Sequence, residues 1–125
     1  MDIRVLEEQN LAAAEHCLAH NCPDAAVNRA YYAMFQAGIA ILIWHGVTAR
    51  GDTWGHDYVH SQVNEQLIKR RKVLASSYKD PLYRAMLARH RADYKPDSVG
   101  TKIAKRITQR AQRFIEAIQG VLQHA

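Results

Sequence analysis

The residue with the clearest chemical consequence is Arg29, the one charged side chain in the stretch 28–42, NRAYYAMFQAGIAIL. A guanidinium keeps its proton, so a buried arginine needs a carboxylate or an incoming anion as its partner. Apart from two tyrosines, the only other polar side chains here are Asn28 and Gln36, which is typical of a helix enclosed by other helices or by lipid. The stretch is shorter than the about 20 apolar residues that span a bilayer. We therefore expect a buried central helix, with Arg29 paired to an acid or to a ligand.

Two histidines, His56 and His60, stand four apart in HDYVH and would share one face of a helix. Zinc proteases use HExxH with glutamate as the base, but here Asp57 takes that position and no third ligand is evident. We expect the pair to form a polar rim of the core or of a ligand cleft, with no metal and no cofactor. A second group of potential metal ligands consists of His16, Cys17, His20 and Cys22. Its spacing also fits no common zinc site.

Charge is distributed unevenly along the chain. Residues 1–66 hold three Lys/Arg against eight Asp/Glu, a net of −5, whereas residues 67–125 hold fourteen against four, a net of +10. This favours an anionic partner for the second half, either a nucleic acid or nucleotide or an acidic protein surface. With no signal-peptide core and no segment long enough to span a membrane, we expect a cytoplasmic protein with reduced cysteines.

Hydrophobic periodicity predicts five helices and no strands, in a single domain over residues 1–125. Asn21 is expected to cap the second helix, Gly46 to end it, and Gly51-Asp52 to form a turn. Short loops indicate a compact all-α bundle. The predicted helices cover about residues 2–20, 23–45, 53–71, 81–94 and 98–123.

The last predicted helix has two distinct faces. Its apolar seam consists of Val99, Ile103, Ile107, Ala111, Phe114, Ile118 and Val121. Another face carries a basic stripe of Lys102, Arg106, Gln109 and Arg113. Such a stripe is usually a solvated surface, yet it adds to the positive half of the chain.

Three segments together resemble the HEPN domain: NRAYYAMFQA in the second helix, RHRADY at 89–94, and AQRFIEAI in the last helix. Small prokaryotic members have a similar S-R-A-Y-Y-A-M-F and R-x-x-A-D-Y signature, with Asn28 replacing the serine here. The resemblance implies an antiparallel four-helix bundle with an additional short helix, commonly a homodimer. It also implies a minimal nucleotidyltransferase as partner in a toxin–antitoxin-like system.

The resemblance also implies a possible activity, because active members of that family are metal-independent ribonucleases in which two copies of an R-x4-6-H motif meet at the dimer interface. Arg84 and His90 meet this spacing, although Ala85 replaces the usual polar residue, and Arg50 and His56 meet it as well. A histidine titrating near neutrality would act as base on the ribose 2′-hydroxyl, and an arginine would stabilise the charge on the reacting phosphate. His90 also falls beside apolar positions, so it could equally be a core histidine.

The family motif has two readings. In one, Arg29 and Asp93 form an ion pair between helices, and Tyr32 or Tyr94 completes the hydrogen bonds. In the other, Arg29, Arg89 and the tyrosines line a cleft for a nucleotide phosphate and base.

The first functional hypothesis is therefore an interaction module that binds a nucleotide, RNA or a nucleotidyltransferase. The alternative is a ribonuclease using Arg84 and His90. A di-iron bundle is disfavoured, because no glutamate is followed three residues later by histidine.

Overall fold

Helices account for almost all of the described structure. The computed structural model describes the backbone of residues 3–70 and 100–123, and the side-chain surroundings of residues 8–68 and 100–122. The all-α class is confirmed, and the predicted fourth helix, 81–94, lies outside these residues. Numbered in chain order, the elements are α1 (Ile3–Ala19), α2 (Pro23–Trp44), α3 (His56–Gln62), a π-helix (Val63–Arg70) and α4 (Thr101–Gln123).

The turn between α1 and α2 is built around Asn21, whose φ of 58° is left-handed. The Cys22 N–H donates to the Cys17 carbonyl at 2.8 Å, and the Asn21 N–H donates to the Leu18 carbonyl at 3.2 Å. This pair of hydrogen bonds defines a Schellman motif. The prediction that Asn21 caps the second helix is therefore wrong. Asparagine tolerates the left-handed conformation, so it ends α1 instead, and α2 begins at Pro23 without a side-chain cap.

The central position of α2 is confirmed. It packs against α1, α4, α3 and the π-helix. Small residues on its surface allow close approach; a Cβ added at Gly38 would lie 3.4 Å from Val63 Cγ2. Among the described helices, none has the length and hydropathy needed to cross a bilayer. The buried residues of α2 are Ala26, Val27, Ala30, Tyr31, Ala33, Met34, Ala37, Gly38, Ile39, Ile41 and Leu42.

The end of α2 follows the sequence prediction. Gly46 has a φ of 82°, and the Val47 N–H returns to the Leu42 carbonyl at 2.9 Å. A left-handed residue just after the last turn is where glycine is favoured, since it has no Cβ to clash.

The third helix starts later than the sequence indicates. Arg50 and Thr53 form an isolated antiparallel bridge around Gly51, whose φ is 68°. Thr53 is thereby held in the turn, and Gly55 remains extended, so α3 begins at His56 rather than at Thr53.

The last helix, α4, begins at Thr101, three residues later than predicted, and its apolar seam is largely as expected. Ile103 is the exception, because it is 49 % exposed while Ala104 takes the buried position next to it. Val121 is half-buried and Val99 lies outside the described residues. The seam residues that are buried as predicted are Ile107, Ala111, Phe114 and Ile118.

Candidate functional site

A buried tyrosine is joined to two histidines where α2 meets α3. The Tyr31 side chain is fully buried, and its hydroxyl lies 2.5 Å from His56 Nδ1 and 3.4 Å from His60 Nε2. The α3 helix presents both histidines on one face because they are four residues apart. Both are half-buried, so they form the expected polar rim on the core. We call these three residues the Tyr31 cluster.

The protons in this cluster have to be shared. A tyrosine hydroxyl carries one proton and can give it to only one imidazole nitrogen. The second contact therefore requires the other histidine to donate its N–H to the phenolic oxygen. In this arrangement the buried hydroxyl both donates and accepts a hydrogen bond.

Burial gives His60 an altered affinity for protons. Loss of contact with water lowers the pKa of His60 below its ordinary value of 6.5, and repulsion from His56 lowers it further. The carboxylate of Asp57 acts in the opposite direction, more weakly. The lowered pKa favours the neutral imidazole of His60 at neutral pH.

Aromatic rings continue outward from the cluster. The Phe35 and His56 ring centroids are 4.7 Å apart, and the Tyr32 ring meets His56 edge-on at 6.5 Å. Phe35 and Tyr32 are half-buried, so part of each ring reaches the surface. Such partly exposed rings are the kind of surface on which a nucleobase can stack.

Arg29 lies at the surface rather than in the core. Its side chain is exposed, and Nη1 donates to Asn10 Oδ1 at 3.5 Å. Asn10 in turn donates to Gln36 Oε1 at 2.8 Å, linking α1 to α2. Because Arg29 is exposed, it does not need an ion pair to offset the cost of burial. Its predicted partner, Asp93, lies outside the described residues.

The structure brings together only some of the predicted site residues. Arg29 and Tyr32 are three residues apart on α2 and so lie on the same side of that helix. Tyr31, one position away, is a member of the site that the sequence prediction did not include. The other predicted residues lie outside the described part of the chain: Arg84, Arg89, His90, Asp93 and Tyr94.

The second match to the R-x4-6-H spacing also falls in the described region. The Arg50 guanidinium lies over the Tyr58 ring, 5.3 Å from its centroid, and the Tyr58 hydroxyl donates to the Thr48 carbonyl at 2.7 Å. His56 Nδ1 faces the Tyr31 hydroxyl. Arg50 is thus engaged by Tyr58, while His56 belongs to the Tyr31 cluster.

Metal ligands do not converge in the described residues, where no group of three or more His, Cys, Asp or Glu side chains could hold an ion. Both cysteines are free thiols, and Cys22 Sγ donates to the His20 carbonyl at 3.5 Å. The rings of His16 and His20 are 4.2 Å apart.

A family model described as HEPN domain matches residues 8–121, which is nearly the whole chain. A search of curated proteins finds no match.

Proposed function

The chain belongs to the HEPN domain family, which supports a nucleotide- or RNA-related role. We propose that it is a non-catalytic module that binds nucleotide or RNA on the outer side of α2. The observation that carries this proposal is the exposed guanidinium of Arg29 on the same side of the helix as the half-buried ring of Tyr32. An arginine supplies a fork of donors for a phosphate, and an aromatic ring supplies a stacking face for a base.

In the proposed site, Arg29 binds the phosphate and Tyr32 stacks on the base. Arg89 provides a second cation, Tyr94 a second ring, and Asp93 orients one of the guanidiniums. The support for these last three residues is their place in the RHRADY segment, which resembles the family signature.

We further propose that the protein acts as a homodimer and pairs with a minimal nucleotidyltransferase in a toxin–antitoxin-like system. Family membership supports this proposal. Co-expression of the chain with such an enzyme, followed by size-exclusion chromatography and mass measurement, tests both associations. A monomeric protein that elutes separately from the enzyme would contradict them.

Binding to Arg29 and Tyr32 can be measured with ATP and with a labelled oligouridylate of about 12 nucleotides. We expect Arg29→Ala to weaken binding about 10-fold or more, because a charge-assisted hydrogen bond contributes about 1.5–3 kcal/mol. Tyr32→Leu removes the stacking face and should weaken binding by a similar factor. Arg50→Ala is the matched control, since Arg50 is also exposed but lies in the loop before α3.

Circular dichroism would verify that each variant folds. If folded Arg29→Ala and Tyr32→Leu bind both probes as tightly as the unmodified protein, this site assignment is wrong.

The alternative function, a metal-independent ribonuclease, is favoured by the spacing of Arg84 and His90. The same labelled RNA tests it directly. The proposed module leaves the RNA intact. Cleavage that persists in chelator and is lost in both Arg84→Ala and His90→Ala would instead establish the ribonuclease.

A further inference from the structure

One face of α4 carries a straight row of basic side chains. Lys102, Arg106, Gln109 and Arg113 follow one another at intervals of four, three and four residues, and all are exposed. At 1.5 Å of rise per residue, the row extends about 16 Å along the helix. It lies on the side of α4 opposite the buried seam, as expected for an amphipathic helix. We call this row, with the adjacent exposed Lys105, the α4 basic row.

Acidic side chains do not neutralise this row within the described residues. Glu116 is the only acid in the α4 sequence, against five lysines and arginines. Its Oε1 accepts a hydrogen bond from Gln112 Nε2 at 3.3 Å. In the described part of the chain, Lys102, Arg106 and Arg113 form no ion pair and no side-chain hydrogen bond.

Helix stability does not account for the position of these charges either. The first turn of a helix carries partial positive charge, which favours acids there and disfavours cations. The first turn of α4 has no acid, and Lys102, Lys105 and Arg106 all lie within its first two turns. The arrangement becomes favourable once an anion is bound along it.

We propose that the α4 basic row is a contact surface for the phosphate backbone of single-stranded RNA, separate from the Arg29 site. A mononucleotide cannot reach cations spread over about 16 Å, whereas a polynucleotide offers phosphates in series. An acidic protein would be expected to bury an apolar centre, and the row itself contains none. The choice of RNA rests on the proposed function; the anion-binding character of the row does not.

The salt dependence of RNA binding tests this proposal. The labelled oligouridylate is titrated by fluorescence anisotropy at several KCl concentrations against the unmodified protein and the triple variant Lys102→Gln/Arg106→Gln/Arg113→Gln. Each phosphate contact with single-stranded nucleic acid contributes about −0.7 to the slope of log K against log salt. The triple variant should therefore show a slope about 2 units shallower, and affinity at least about 10-fold lower at low salt.

Two further variants sharpen the test. Arg50→Gln removes one exposed positive charge elsewhere and should leave the slope unchanged. Glu116→Gln removes the only acid of α4 and should strengthen RNA binding. Binding of ATP should be unaffected in the triple variant, because the row requires several phosphates.

The outcomes separate this inference from the proposed Arg29 site. If the triple variant shows a shallower salt slope while Arg29→Ala binds RNA with unchanged affinity, the proposal for the α4 basic row is supported and the Arg29 site is wrong. A folded triple variant that binds RNA with the original salt slope overturns the proposal that the α4 basic row contacts RNA. So does a triple variant that loses self-association but keeps its RNA affinity, since the row would then be a protein interface.

Discussion

At the scale of single residues, the Tyr31 cluster shows how a polar group can be accommodated in the centre of the fold. A hydroxyl removed from water without a partner is destabilising by about 1–3 kcal/mol. Here the α3 histidines meet it, and their own half-buried position leaves them a route to the surface. The cluster thereby links α2 to α3 by polar contacts as well as by packing.

Replacement of Tyr31 by phenylalanine keeps the ring and removes the hydroxyl that both histidines contact. We expect Tyr31→Phe to lower the free energy of unfolding by about 1–2 kcal/mol, because the imidazoles lose a buried partner. Urea denaturation measures this change. Tyr58→Phe is the control: its hydroxyl bond to Thr48 is exposed, so water can replace it at little cost. Equal stability changes in the two variants would contradict a structural role for the cluster.

The lowered pKa of His60 predicts how stability depends on pH. Well above pH 6.5 the histidine is neutral in both the folded and the unfolded chain, so it contributes no pH dependence there. Below that value the unfolded chain takes up a proton that folded His60 resists, and stability falls as the pH is lowered toward the folded pKa. We expect His60→Gln to reduce this fall.

Thermal denaturation between about pH 7.5 and about pH 5.5 covers this window. His20→Gln removes an exposed histidine and should behave like the unmodified protein. If His60→Gln loses stability on acidification as steeply as the control, His60 does not determine the effect.

At the scale of the elements, both described helix–loop junctions after α1 and α2 depend on a left-handed residue. Asn21 and Gly46 end their helices with the same pair of backbone hydrogen bonds. At Gly46 nothing lies within 4 Å of an added Cβ, so the cost of a side chain there comes from the backbone alone.

Two alanine substitutions should therefore have opposite effects. Gly46→Ala forces a Cβ into the left-handed region and should destabilise the fold by about 1–2 kcal/mol. Gly120→Ala lies within α4, also has open space for a Cβ, and should stabilise by about 0.5–1 kcal/mol. Urea denaturation of both variants tests the pair. Destabilisation by Gly120→Ala as large as that by Gly46→Ala would count against the backbone explanation.

Periodicity located α2 and the seam of α4 because their apolar residues repeat at helical spacing over more than five turns. It failed at helix starts, because Asn21 and Thr53 suit a helix cap and a turn equally well. Tertiary contacts decide which of the two structures each residue adopts. The pairing of Tyr31 with His56 left no local signal, since the two are 25 residues apart along the chain. The helical register could have placed Tyr31 on the buried side with Val27 and Met34, but not identified its partners.

At the scale of the whole molecule, the opposed charges of the two halves allow two kinds of association. The acidic first half of one copy could pair with the basic second half of another, or the basic half could bind a polyanion. The exposed row on α4, which no acid neutralises among the described residues, favours the polyanion. Self-association would then rest on other surfaces.

These alternatives respond differently to salt. We expect the mass of the proposed homodimer, measured by sedimentation, to stay constant between about 0.05 and 0.5 M KCl, because ionic contacts with the α4 basic row do not hold it together. Over the same range RNA affinity should fall steeply, since bound counterions are released from the strand. A dimer that dissociates as salt rises while RNA affinity stays constant would reverse this assignment, and the basic half of the chain would then serve contact with a second copy.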